Sequence, residues 1–105
     1  MADIMKILQQ AQQMQGRLQQ IQDELAQKTV EASAGGGMVT VEADGKGQVR
    51  SVKIDPTVVN PADVEMLEDL VLVAVSEAQK KAAALAQEEM GKLTGGMDLP
   101  FKLPF

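Results

Sequence analysis

Gly35 to Pro56, GGGMVTVEADGKGQVRSVKIDP, is the stretch in which an otherwise helical chain turns back on itself twice, and it decides the fold. Three glycines, a run rich in β-branched residues from Met38 to Asp44, then Gly45-Lys46-Gly47 and a second such run from Gln48 to Ile54 spell strands joined by tight turns. Glycine supplies the positive φ that such turns need. Val39, Val41 and Ala43 alternate with Thr40 and Glu42, as expected where one sheet face is buried and the other wet. Val49 is out of phase with Val52 and Ile54, which predicts either a β-bulge or apolar contacts on both faces. Upstream, Val30, Ala32 and Ala34 alternate with Glu31 and Ser33, so strands span about residues 28–54 and end at Asp55-Pro56. Gly45-Lys46-Gly47 is a hairpin turn and not a phosphate-binding loop: Arg50 stands where the dinucleotide fingerprint needs its third glycine, and a strand follows instead of a helix.

Both flanks have helical spacing. Ile4, Ile7, Ala11, Met14, Leu18, Ile21 and Leu25 recur at intervals of three and four, the narrow stripe of a helix over about residues 3–27 that packs on other helices. Glutamine fills much of the rest of that helix; Gly16 is its one weak helix former. Downstream, Asn60-Pro61-Ala62-Asp63 has the chemistry of a helix start, with Asn60 as cap, Pro61 at the first helical position and Val59 and Val64 placed for a hydrophobic staple. The second helix is expected over about residues 61–92, with Val64, Leu67, Val71, Ala74 and Ala78 as its apolar seam and Gly91 or Gly95 as its stop. From Leu70 to Val75 it is apolar around its whole circumference, and such a segment needs cover on every side.

With 105 residues the chain holds one domain, spanning about 1–94, and a tail from 95 to 105. Three short strands and one partner helix cannot enclose both the Leu70–Val75 run and the first helix's stripe, so a symmetric homodimer is expected. The candidate interface residues are Val52, Ile54, Leu67, Leu70, Val71, Val73, Ala74 and Val75. No apolar run is long enough to span a bilayer and the N-terminus lacks a basic region followed by an apolar one, which predicts a cytoplasmic protein with no membrane partner. The tail repeats Leu-Pro-Phe and holds the chain's only aromatic residues; it is read as a loose or folded-back terminus or as a docking segment for a protein partner.

With no Cys and no His, the chain lacks thiolate chemistry and the commonest general base and zinc ligand. Glu68-Asp69 and Glu88-Glu89 are helical neighbours about 100° apart, so neither pair aims two carboxylates at one point. A non-enzyme without cofactor or metal is the expectation. Net charge is −5, which by itself opposes phosphate binding, but the acids are unevenly spread: Asp63 to Glu77 holds five and no base. A basic surface must therefore be local. Lys6, Arg17 and Lys28 on the first helix, and Lys80, Lys81 and Lys92 on the second, are the candidate DNA contacts; the competing reading is solvated surface or ion pairs of Lys80 and Lys81 with Glu77, and of Lys92 with Glu88.

The order of long helix, Gly37-Met38-Val39-Thr40-Val41-Glu42-Ala43-Asp44-Gly45, Val52-Lys53-Ile54-Asp55-Pro56 and Met66-Leu67-Glu68-Asp69-Leu70-Val71 resembles the YbaB/EbfC family of nucleoid-associated proteins over nearly the whole chain. Gln10-Ala11-Gln12-Gln13-Met14-Gln15 and the ending from Gly96 to Phe105 are also similar to bacterial members. The resemblance implies an α+β fold, with a three-stranded antiparallel sheet flanked by two long helices, in a tweezer-like homodimer. It implies binding of duplex DNA in the bacterial nucleoid and a change in the DNA's conformation; the low sequence specificity expected follows from the lysine set, since lysines position on phosphates and do not read bases. The alternative is a protein–protein adaptor acting through the glutamine-rich helix, the acidic part of the second helix and the Leu-Pro-Phe tail.

Overall fold

A computed structural model describes the backbone of residues 2–95 and the side chains of residues 3–92. Helix α1 (Ala2–Gln27) leads into strands β1 (Thr29–Ala34), β2 (Val39–Asp44) and β3 (Val49–Ile54), a short 3-10 turn (Pro56–Val58) and helix α2 (Val64–Gly95). The strands pair antiparallel in the order β1–β2–β3. This is the α+β arrangement that the hairpin stretch predicts.

The glycines do the turning. Gly35, Gly36 and Gly37 all have positive φ between β1 and β2, and Gly47 does so between β2 and β3. At the second turn, the Asp44 carboxylate accepts hydrogen bonds from the amides of Lys46 (2.9 Å) and Gln48 (3.0 Å) and from Nε of Arg50 (3.2 Å). Burial of Asp44 opposes its ionisation, but the amides of Gln48 and Lys46 and the Arg50 guanidinium outweigh that and hold its carboxyl below the ordinary carboxylate range. The bulge predicted from Val49 is present: Glu42 pairs with Ser51 and Ala43 with Val49, leaving Arg50 as the extra residue. Its effect is to restore phase, so that Val49, Val52 and Ile54 oppose Ala43, Val41 and Val39 on one face.

The core lies between that face and α2. Val39, Val41, Ala43, Ala74 and Ala78 are fully buried, with Ala32 and Ala34 nearly so and Val30, Leu67, Leu70, Val71 and Val75 packed around them. Ala74, Ala78 and Ala82 recur every fourth residue, so α2 presents a row of methyl groups and settles close onto β1 and β2. It does not reach across β3. Val52 and Ile54, on the same face as the core, therefore stay 43% and 39% exposed.

Two local expectations at the start of α2 are corrected. Asn60 is not the helix cap: its side chain accepts from the Ala62 amide and its carbonyl from the Asp63 amide, closing a turn with Pro61 inside it. Asp63 caps the helix instead, accepting from the Met66 amide at 3.2 Å, and α2 begins at Val64. The proposed staple residues Val59 and Val64 are both about half exposed, so Val64 does not join the apolar seam. Before that turn, Asp55 accepts from the amide and hydroxyl of Thr57, which hold its carboxyl below its ordinary range and fix the exit from β3.

Helix α1 touches the sheet only at its last turn. There the Gly45 amide donates to the carbonyls of Leu25 (2.8 Å) and Lys28 (3.0 Å), and Leu25 is buried. A Cβ at Gly45 would lie 2.7 Å from the Leu25 carbonyl oxygen, so glycine is required by close approach and not by φ. From that joint α1 runs away from the sheet beside the far half of α2. The molecule measures 73 × 24 × 16 Å with a radius of gyration of 19.7 Å, against about 13 Å for a compact domain of this length. The readings of the tail, residues 96–105, lie outside the described residues.

Candidate nucleic-acid interface

The cations of α1 are ordered by its geometry. Lys6 and Arg17 are eleven residues apart, as are Arg17 and Lys28. Eleven residues make just over three whole turns, so Lys6 and Arg17 on α1, and Lys28 directly after its last residue with its amide donating to the Glu24 carbonyl, fall on one side at intervals of about 16 Å. All are exposed. Their line runs beside the apolar stripe from the sheet toward the tip of the helix.

The second helix adds to it at one place. Glu89, with a side chain only 9% exposed, accepts from Lys28 Nζ at 2.8 Å and from Lys92 Nζ at 3.3 Å. The hydrogen bond from Lys28 holds the Glu89 carboxyl below its ordinary range against the cost of burial, and the Lys92 ammonium adds to the effect. Reciprocally, the bond to Glu89 raises Lys28 above the ordinary lysine value. Arg17, Gln20, Ile21, Glu24, Glu89 and Lys92 line one depression between the helices. Lys28 and Lys92 thus share a single buried carboxylate, and Arg17 borders the same depression. Lys92 pairs with Glu89, not with Glu88 as its spacing suggested; Glu88 points outward, and the two neighbouring acids diverge as helical geometry requires.

Lys80 and Lys81 do not act together. Lys80 is paired loosely with Glu77 at 3.6 Å, on the side of α2 opposite the buried Ala78 and Ala82. Lys81 turns the other way and donates to the Glu31 carbonyl of β1 at 2.7 Å. Three cations outside the candidate set are also exposed: Lys46 in the β2–β3 turn, Arg50 at the bulge with Nη2 at 3.0 Å from Asp44, and Lys53 on β3. Lys46 borders a groove with Gln22, Leu25 and Gln79 at the base of the helical arm. Its place inside a glycine turn was the available signal, but the turn chemistry alone accounted for it.

The interface candidates divide. Val52, Ile54 and Val73 are exposed, Leu67, Leu70, Val71 and Val75 are half-buried, and Ala74 is consumed in the chain's own core. Leu72, 65% exposed, and Val73, 50% exposed, form the uncovered side of the apolar run, and Met66, Leu70 and Val73 line a depression with Asp63, Glu65 and Asp69. Among the described residues no group of three or more His, Cys, Asp or Glu could hold a metal, and no helix is long and apolar enough to cross a membrane.

Residues 1–97 match the YbaB/EbfC DNA-binding family. The chain is 59% identical over 103 residues to a nucleoid-associated protein of Gemmatimonas aurantiaca, covering 98% of this chain and 99% of the relative. It is 52% identical over 92 residues to one of Chloroflexus aurantiacus, covering 88% and 92%. The fold is shared with the crystal structure of an uncharacterized protein from Helicobacter pylori, at a TM-score of 0.70 and 21% identity, covering 87% of this chain and 91% of that one. The chain belongs to the YbaB/EbfC DNA-binding family.

Proposed function

We propose that this protein binds duplex DNA as a symmetric homodimer in the nucleoid of a bacterial cytoplasm, and that it is a DNA-organising protein without catalytic activity. The observation that carries this reading is the line of Lys6 and Arg17 on α1 and Lys28 just past its end, joined by Lys92 of α2 at Glu89, in a member of a DNA-binding family. The net charge of −5 does not oppose it, because much of the acid lies elsewhere: Asp63, Glu65, Glu68 and Asp69 at the start of α2, Glu31 and Glu42 on the open face of the sheet. Lysines and arginines on an arm contact phosphates without reading bases, which gives low sequence specificity and leaves DNA deformability to set preference. Two copies joined through the uncovered Val52, Ile54, Leu72 and Val73 would present two such arms, and engagement of both by one duplex would change its path. The adaptor reading finds no support in the family or in the relatives' names.

A salt series of duplex-binding titrations on the wild type and on Arg17→Glu with Lys92→Glu tests this. Affinity of the wild type should fall steeply with salt, and the double reversal should weaken binding about tenfold or more at low salt and flatten the slope. Lys80→Glu, on the opposite side of α2, should have the smaller effect. Undetectable binding at low salt, or a double reversal without effect, would overturn the reading.

A further inference from the structure

The apolar stripe of α1 is continuous, but its cover is not. Near the sheet, Leu25 is buried and Ile21 and Leu18 are half-buried where α2 runs alongside. Farther out, Ile4 and Ile7 are each 62% exposed and Leu8 is 55% exposed. The two helices are antiparallel here: Glu89 meets Lys28, and Lys92, one turn later, shares a depression with Arg17 and Gln20. The last residue of α2, Gly95, is thus level with the middle of α1, and the outer ten or so residues of α1 have no helix beside them. A solitary helical end of that length is marginal in water unless something packs on its apolar side.

We propose that residues 96–105 of the same chain lie along this outer stripe and complete the cover that α2 begins. Three features on the page commit the occupant. The segment starts where the cover stops, at Gly95. The ten residues can span up to about 33 Å when extended, and the distance from Met14 to Ile4 along α1 is about 15 Å. Its composition is complementary: Met97, Leu99, Phe101, Leu103 and Phe105 are apolar, while Pro100 and Pro104 prevent continuation of the helix and favour an extended course. The proposal does not depend on DNA binding.

The chain contains no cysteine, so an introduced pair reports cleanly. Ile7→Cys with Phe101→Cys should oxidise to a disulfide within one chain, at a rate independent of protein concentration. Deleting residues 96–105, or replacing Phe101 and Phe105 together by serine in the full-length chain, should speed amide exchange of residues 4–11 about tenfold while leaving β2 unchanged. Exchange that is unaffected by either change overturns the proposal. So does a disulfide that links two chains and grows with concentration, which assigns the stripe to a second copy. Rapid exchange in the purified wild type also overturns it, leaving the stripe for a different protein.

Discussion

The sheet end and the helical arm are built on opposite plans. Under α2, Val39, Val41, Ala43, Ala74 and Ala78 have no contact with water, and the turn that follows β2 is locked by four contacts to one buried aspartate. Along the outer half of α1, apolar and glutamine side chains alike are exposed, and Gly16 has nothing within 4 Å of where a Cβ would sit. One end is specified by tight packing, so a single methylene matters there. The other is specified by surface chemistry, so its polar and charged side chains carry little packing of the core. If the cations of this arm bind DNA as proposed, the folding core stays out of the site.

This contrast can be broken most severely at Val41. Val41→Asp puts an unpaired carboxylate into a dry core and should abolish the cooperative thermal transition, whereas Leu8→Asp on the arm should leave the transition of the sheet in place. Next in size is Gly45→Ala, whose new methyl group would press on the Leu25 backbone; a loss of about 1–3 kcal/mol in denaturant unfolding is expected, with Gly16→Ala neutral or slightly stabilising.

Acid sharpens the comparison, because each end holds a buried carboxylate of lowered pKa, Asp44 and Glu89. For Asp44 and Glu89 the folded value lies below the unfolded one, so their stabilisation is present above the ordinary carboxylate range, near pH 4, and is lost as pH falls through the lowered values. Asp44→Asn should lower the unfolding midpoint at pH 7 and make it less sensitive to acidification to pH 3, as followed by circular dichroism. Glu89→Gln should have the smaller effect on that midpoint, confined to the α1–α2 contact. Lys28 behaves in the opposite sense: its raised pKa makes its contribution complete below about pH 10 and lost only as pH rises through the raised value. Smallest of all is Leu8→Ala, expected to change global stability by less than about 0.5 kcal/mol.

The sheet was legible in the sequence because period-two alternation and glycine turns are local signals, and even the phase slip at Val49 pointed to the bulge at Arg50. The start of α2 was less so. Asn60 and Asp63 are both capable caps, and only the turn closed around Pro61 decides between them. Candidate cations could be named from the sequence, but not their facing. Whether Lys81 meets solvent or the Glu31 carbonyl depends on how α2 rolls on the sheet, and the pairing of Lys28 with Glu89 joins residues 61 positions apart. No local pattern encodes such distances.

The bulge at Arg50 has a consequence for how molecules of this protein meet. The sheet has two outer strands, β1 and β3, and apolar Val52 and Ile54 stand on β3. A flat strand there would template edge-to-edge polymerisation. The extra residue interrupts the ladder and adds twist, the guanidinium is drawn back to Asp44, and Lys53 places a charge one residue before the end of the strand. An incoming strand from another chain would meet that kink at the Arg50 end of β3, which disfavours continuous edge-to-edge pairing and open-ended fibres.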